Sequence, residues 1–174
     1  KGSQMPEWRD NILEDDAKIR DLLASTRRIA VLGIKTEARA DQPAFYVPRF
    51  LAHRGLEIVP VPVYYPEVKE ILGRPVYRKV SEVPGAIDVV NVFRRPPDVA
   101  GHVEDLVAKK PRAVWMQLGI RNERAAETLA KAGLEWPING MSWTTYHNKP
   151  DPYLDEAYEV TAKRIKVSEW LMDE

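Results

Sequence analysis

Short apolar runs, each too brief to be a helix, recur along this chain at intervals wide enough to hold one. Arg28-Ile-Ala-Val-Leu-Gly33 is the clearest. A run that is apolar at every position reads as a strand buried on both faces, and the glycine that closes it as a turn. Further runs are predicted as strands at Glu57–Val61, at 87–93, which is rich in valine, at 113–117 and at 135–138. The segments between them carry helical spacing. A helix is predicted over 14–24, with Ile19, Leu22 and Leu23 on one face. Another is predicted over 44–54, closed by Gly55, where Pro48 marks either a kink or the first turn. Helices over 99–109 and over 122–131 follow, the second capped by Asn122 and closed by Gly133. Alternation of this kind requires crossovers, hence parallel strands with helices on both faces. The expected fold is an α/β domain of five parallel strands, with 29–32 central and fully buried.

The 174 residues fit one domain. Residues 1–4, ahead of Met5, read as an expression remnant, residues 5–150 as the domain and residues 151–174 as a helical tail. The Pro-containing stretch 148–152 separates the two, and 153–172 has helical spacing with Leu154, Tyr158, Thr161 and Ile165 on one face. Lys+Arg and Asp+Glu both number 26, so the formal net charge is zero. A nucleic-acid partner, which calls for a basic excess, is not expected. The absence of cysteine excludes disulfides, thiolate catalysis and Cys-ligated metal, and fits a cytoplasmic protein. No apolar run approaches the roughly 18 residues of a membrane span, and no signal-peptide core is expected at the start.

Open parallel sheets bind ligands beyond the carboxyl ends of their strands. After the first strand, Gly33 permits a tight turn and close backbone approach, while Lys35 and Arg39 offer charge to a phosphate or to solvent. After the second comes Val61-Pro-Val-Tyr-Tyr-Pro66, a stiff aromatic loop in which one ring, Tyr64, can lie along an adenine or a pantetheine arm. Both rings can equally roof the edge of the core. After the third comes Phe93-Arg-Arg-Pro96. Arginine meets phosphate bidentately, and an ion pair with Asp98 is the competing use. After the fourth, Gln117 offers donor and acceptor, and Gly119 close approach. There is no GxxxxGK[ST], HExxH or GxSxG. His53, His102 and His147 lack metal spacing, and only nearness in sequence links Ser142 to His147.

Taken in order, Ile29-Ala-Val-Leu-Gly33, Tyr46-Val-Pro-Arg-Phe-Leu51, Ile58-Val-Pro-Val61, Ile71-Leu-Gly-Arg-Pro-Val-Tyr77, Asp88-Val-Val-Asn-Val-Phe-Arg-Arg-Pro96 and Ala113-Val-Trp-Met-Gln-Leu-Gly-Ile120 resemble the small stand-alone CoA-binding proteins. These are similar to the CoA-binding domain of the succinyl-CoA synthetase alpha subunit. The resemblance implies a Rossmann-like fold of five parallel strands, with coenzyme A held across the first three βα turns. It points to Gly33, Ile34 and Lys35, to Pro43, to Val61, to Phe93 and Arg94, and to Gln117, Gly119 and Ile120 as ligand contacts. It implies binding of CoA or a related nucleotide rather than turnover, with a regulatory role open. The chain departs from the family pattern in three places. Gln42-Pro43 stands where the family carries Arg-Pro, Tyr64-Tyr65-Pro66 replaces Asn-Pro, and Asn139-Gly-Met141 replaces an Asp-Arg-Cys-like motif.

Two alternatives to CoA binding stay open at this level. One is a protein–protein interaction scaffold with a divergent or redesigned site, using Trp136, Trp143, Tyr146 and Tyr153. The other is an enzyme acting on a nucleotide or an acyl thioester. An isolated helix the length of the tail is marginal in water and needs a partner surface, on this chain or on a second copy in a homodimer. Truncation after Pro150 is therefore expected to lower the melting temperature or to convert a dimer to a monomer. Sedimentation and thermal melts read both.

Overall fold

The computed structural model describes residues 8–13, 16–116 and 122–137. Its elements are β1 (Ile12–Leu13), α1 (Asp16–Ser25), β2 (Arg28–Leu32), α2 (Pro43–His53), β3 (Glu57–Val61), β4 (Glu70–Ile71), β5 (Arg74–Pro75), β6 (Val89–Val92), α3 (Val103–Lys109), β7 (Ala113–Met116), α4 (Glu123–Lys131) and β8 (Trp136–Pro137). The strands β3-β2-β6-β7 form one parallel sheet in that order. Strand β2 lies inside it, with Ile29 beside Ile58 on one flank and Val89 on the other. Residues Ile29 through Leu32 are at most 2% exposed. Apolar side chains at every position suit a strand covered on both faces.

The pleat divides those side chains between two cores. Ile29, Val31, Val89 and Trp115 pack with Ile19 and Leu22 of α1 and with Val47, Phe50 and Leu51 of α2. Ala30, Leu32, Val90, Val92, Val114 and Met116 pack with Leu106 of α3 and with Ala126 and Leu129 of α4. The result is the expected three-layer, Rossmann-like arrangement.

The expected fifth strand is reduced to a bridge. Glu135 pairs with Ala113, and its N–H donates to the Arg112 carbonyl at 2.9 Å while its carbonyl accepts from Val114 at 2.8 Å. The next two residues then pair in parallel with Ile12–Leu13, so among the described residues the sheet holds four strands rather than five. Pro137 has no N–H with which to continue a ladder. The helix expected over 99–109 is shorter too. Pro96–His102 winds as a 3-10 turn, and α3 starts only at Val103, after Gly101. In α2, Pro43 takes the first turn and Pro48 sits buried in the interior. The antiparallel pair β4–β5 and the N-terminal β1 carry no signal strong enough to be read from two residues each. The tail and its helix lie outside the described residues.

Polar groups fix the ends of these elements. The Asp88 carboxylate accepts from the N–H groups of Arg27 and Arg28, each at 2.9 Å, and so ties the start of β2 to the start of β6. Asn122 caps α4, accepting from the Ala125 N–H at 3.0 Å, and donates to the Pro96 carbonyl at 2.9 Å. Loss of an N-cap costs about 1 kcal/mol, and loss of the bond to Pro96 adds about as much. Asn122→Ala is therefore expected to lower stability by about 1–2 kcal/mol. A lower urea midpoint with an unchanged m-value is the signature to look for.

Candidate functional site

The carboxyl ends of β2, β3 and β6 meet in one place, and backbone bonds hold them there. Gly33, at φ +86°, donates to the Val61 carbonyl at 2.9 Å, and Phe93 donates to the Leu32 carbonyl at 2.8 Å. A Cβ on residue 33 would lie 2.2 Å from the Phe93 carbonyl oxygen and 3.2 Å from Cδ of Arg94. Only glycine satisfies both the left-handed φ and this approach. The turn after the first strand is thereby pressed against the turn after the third.

The loop that follows is anchored at two points. Pro48 has no N–H to give the Ala44 carbonyl one turn earlier in α2. That carbonyl accepts instead from the N–H of Lys35, at 3.1 Å. Further along, a 3-10 turn at Glu37–Arg39 carries Glu37, whose carboxylate accepts from the Leu72 N–H at 2.8 Å. Leu72 and Gly73, both at positive φ, form the tight turn between β4 and β5.

Arg94 is the polar centre of the site, with its side chain only 14% exposed. Its Nε donates to Nε2 of His102 at 3.2 Å. One terminal nitrogen reaches the Tyr64 hydroxyl at 3.4 Å, and the other lies 3.7 Å from the Asp98 carboxylate. The guanidinium carbon lies 5.5 Å from the centre of the Tyr64 ring, within cation–π range. Tyr64 is 60% exposed and stands edge-on to Tyr65. Arg94, through its hydrogen bond and its charge, lowers the Tyr64 phenol below its ordinary range. For His102, burial and then the Arg94 charge lower the pKa, opposed by Asp105 and Asp98. A neutral imidazole is also what the geometry needs, since Nε2 must keep its lone pair to accept from Arg94.

Beside this cluster opens a cleft of about 590 Å³. Its floor is Leu32, Pro62 and Val63 at the strand ends, and its walls include Arg78, Lys79, Ser81, His102 and Asp105. That volume lies in the usual range for small-molecule sites. Asp105 is committed to structure, accepting from the N–H groups of Val80 and Ser81 at 2.8 and 3.1 Å.

Of the residues expected at the site, Gly33, Val61, Tyr64, Phe93 and Arg94 are brought together at this edge. Val61 is fully buried, so it serves through its carbonyl. Ile34 is 1% exposed, and its side chain belongs to the core beside α1 and α2. Only its backbone can face a ligand. The Lys35 ammonium bonds the side chain of Gln42, and Pro43 stands at the start of α2. Gln117, Gly119 and Ile120 lie outside the described residues. Sequence reasoning missed His102 and Arg78 as neighbours of Arg94 and Tyr64, while the ion pair with Asp98 is present at both Arg94 and Arg95. Among the described residues no group of His, Asp and Glu could hold a metal, and no helix is long and apolar enough to cross a membrane.

The family description "CoA binding domain" matches residues 27–140, which span all four strands of the sheet and the site. The chain belongs to that family. A Bacillus subtilis (strain 168) relative, the uncharacterized protein YneT, is 34% identical over 117 residues, covering 67% of this chain and 83% of its own. The structure of cell-free ID.343 from Thermus thermophilus is 30% identical, with a TM-score of 0.65 over 72% of this chain and 91% of that one. The structure of Prb, a PH1109 protein redesigned for binding, is 26% identical, with a TM-score of 0.70 over 82% and 99%.

The lowered pKa of His102 sets a pH dependence. Its ordinary pKa of about 6.5 applies in the unfolded chain, which takes up the proton first as pH falls. The CoA-binding domain is therefore expected to lose stability as pH drops through the ordinary imidazole range. The loss levels off below the depressed folded pKa. His102→Gln, which keeps an acceptor and does not titrate, is expected to flatten that slope in urea titrations between pH 7.5 and 5.

Proposed function

We propose that this domain binds coenzyme A or an acyl-CoA at the carboxyl edge of its sheet, without turning the ligand over, as a regulatory module in the cytoplasm. The observation that carries the reading is the state of Arg94. Its orientation is set at Nε by His102, while its two terminal nitrogens hold, among the described residues, long contacts at 3.4 and 3.7 Å. Those are contacts that a phosphate oxygen replaces with shorter, charge-assisted ones. The Gly33 turn lies directly against the residue before Arg94, so the first and third turns form one surface beside that guanidinium. The Tyr64 ring offers an exposed flat face of the kind on which adenine stacks. Lys35 adds a cation at the start of the neighbouring loop. Membership of the CoA-binding family supports this choice of ligand over other nucleotides.

The test is a thermal-shift series with CoA, acetyl-CoA, ATP and NAD, followed by calorimetric titration. A ligand at 100 times its Kd adds about 2.7 kcal/mol of stability. CoA or its acetyl ester is expected to produce that shift, and ATP and NAD much less. Arg94→Ala is expected to weaken CoA by about 1.5–3 kcal/mol, the value of a hydrogen bond to a charged group. No shift with either CoA species removes the reading, and an unchanged Kd in the variant removes Arg94 from it.

A further inference from the structure

The Tyr64 face depends on a residue that lies fourteen positions later in the chain. Arg78 is exposed, yet its guanidinium is spent on backbone. One terminal nitrogen donates to the Tyr64 carbonyl at 3.2 Å. The other lies within reach of the carbonyls of Tyr65 at 2.9 Å, Pro66 at 3.2 Å and Val68 at 2.7 Å. Four carbonyls of one loop thus converge on one planar group. The loop they belong to is strained, because Tyr65 sits at φ +62°, a region that non-glycine residues rarely adopt. Within it, the Val68 N–H closes a turn onto the Tyr65 carbonyl at 3.1 Å. Carbonyls crowded on one side repel one another unless a cation lies among them. A guanidinium fits because its donors spread in a fixed plane; a lysine ammonium is a compact point charge without that fork.

We propose that Arg78 is a positioning residue for the ligand, holding the loop after β3 in the one conformation that presents the Tyr64 ring beside Arg94. This rests on the reading that CoA binds at this edge. Arg78 lines the adjoining cleft, but its donors are directed at the loop, so it acts through Tyr64 rather than by touching a phosphate. Nothing of this is visible in the sequence, where Tyr64 and Arg78 stand on either side of the β4–β5 hairpin.

The proposal separates from a simple charge effect by substitution in the full chain. CoA titrations compare the wild type with Arg78→Ala, Arg78→Lys, Tyr64→Ala and the double variant of Tyr64→Ala with Arg78→Lys. Both single changes at Arg78 are expected to weaken CoA about tenfold, the equivalent of about 1.4 kcal/mol. In the Tyr64→Ala background, Arg78→Lys is expected to cause no further loss. Wild-type affinity in Arg78→Lys would show that charge alone suffices, and an undiminished loss in the double variant would show direct contact with the ligand. Either result overturns the proposal. Hydrogen exchange in the ligand-free proteins provides an arm that does not need CoA. The Val68 amide is expected to exchange about tenfold faster in Arg78→Lys, with β2 and β6 unchanged, since the amide's protection tracks the free energy of local opening. An unchanged Val68 amide defeats the proposal even if no protein in the series binds CoA, whereas a failure of CoA to bind any of them defeats only the reading of the ligand.

Discussion

Contact between the Gly33 turn and the Phe93 carbonyl is the constraint on which the rest of the site rests. Two parallel strands can run side by side with any loops at their ends. Here the loops themselves are in contact, because residue 33 lacks the one atom that would hold them apart. That contact brings the first and third turns together, and the bond from Gly33 to Val61 adds the second. A ligand laid across this edge meets three loops as one surface. The sheet order β3-β2-β6 supplies the adjacency, and the glycine turns adjacency into contact.

Several cations of the chain serve as backbone staples rather than as solvated charge. Arg28 pairs with Glu57 and donates to the carbonyls of Pro84 and Ala86 at 2.6 and 3.1 Å. Lys109 reaches the carbonyls of Val83 and Gly85. Arg78 does the same for the loop after β3. Long connections leave carbonyls with no ladder partner, and each must find a donor or water. Long basic side chains meet that need from a distance.

Much of the sheet was legible beforehand. The strand at Glu57–Val61 is bounded as read, and 29–32 is central and buried, because unbroken apolar character leaves few other places for a strand to go. Helix α4 was readable from Asn122, whose capping bond is a local interaction between residues three apart. The fifth strand was not, since its partner after Glu135 is β1, more than a hundred residues away. At the site, Gly33, Phe93 and Arg94 could be placed because strand ends have a known role in parallel sheets. His102 and Arg78 could not, because their significance lies in the atoms they touch across the fold, and neither sits at a strand's carboxyl end. Ile34 shows the converse error: adjacency to a functional glycine in sequence does not expose a side chain that the core needs.

A proline inside a helix is usually regarded as a defect with a local cost. In α2 the defect is shared with another part of the molecule, because the carbonyl left over by Pro48 is the one that secures Lys35. Helix and loop are therefore mechanically one piece: the start of the loop is registered against the first turn of α2 and not merely strung between elements. The axis of α2, which packs on the core, is thereby coupled to the backbone two residues beyond Gly33. A substitution in the interior of that helix can then shift the start of the loop without altering the loop's own residues.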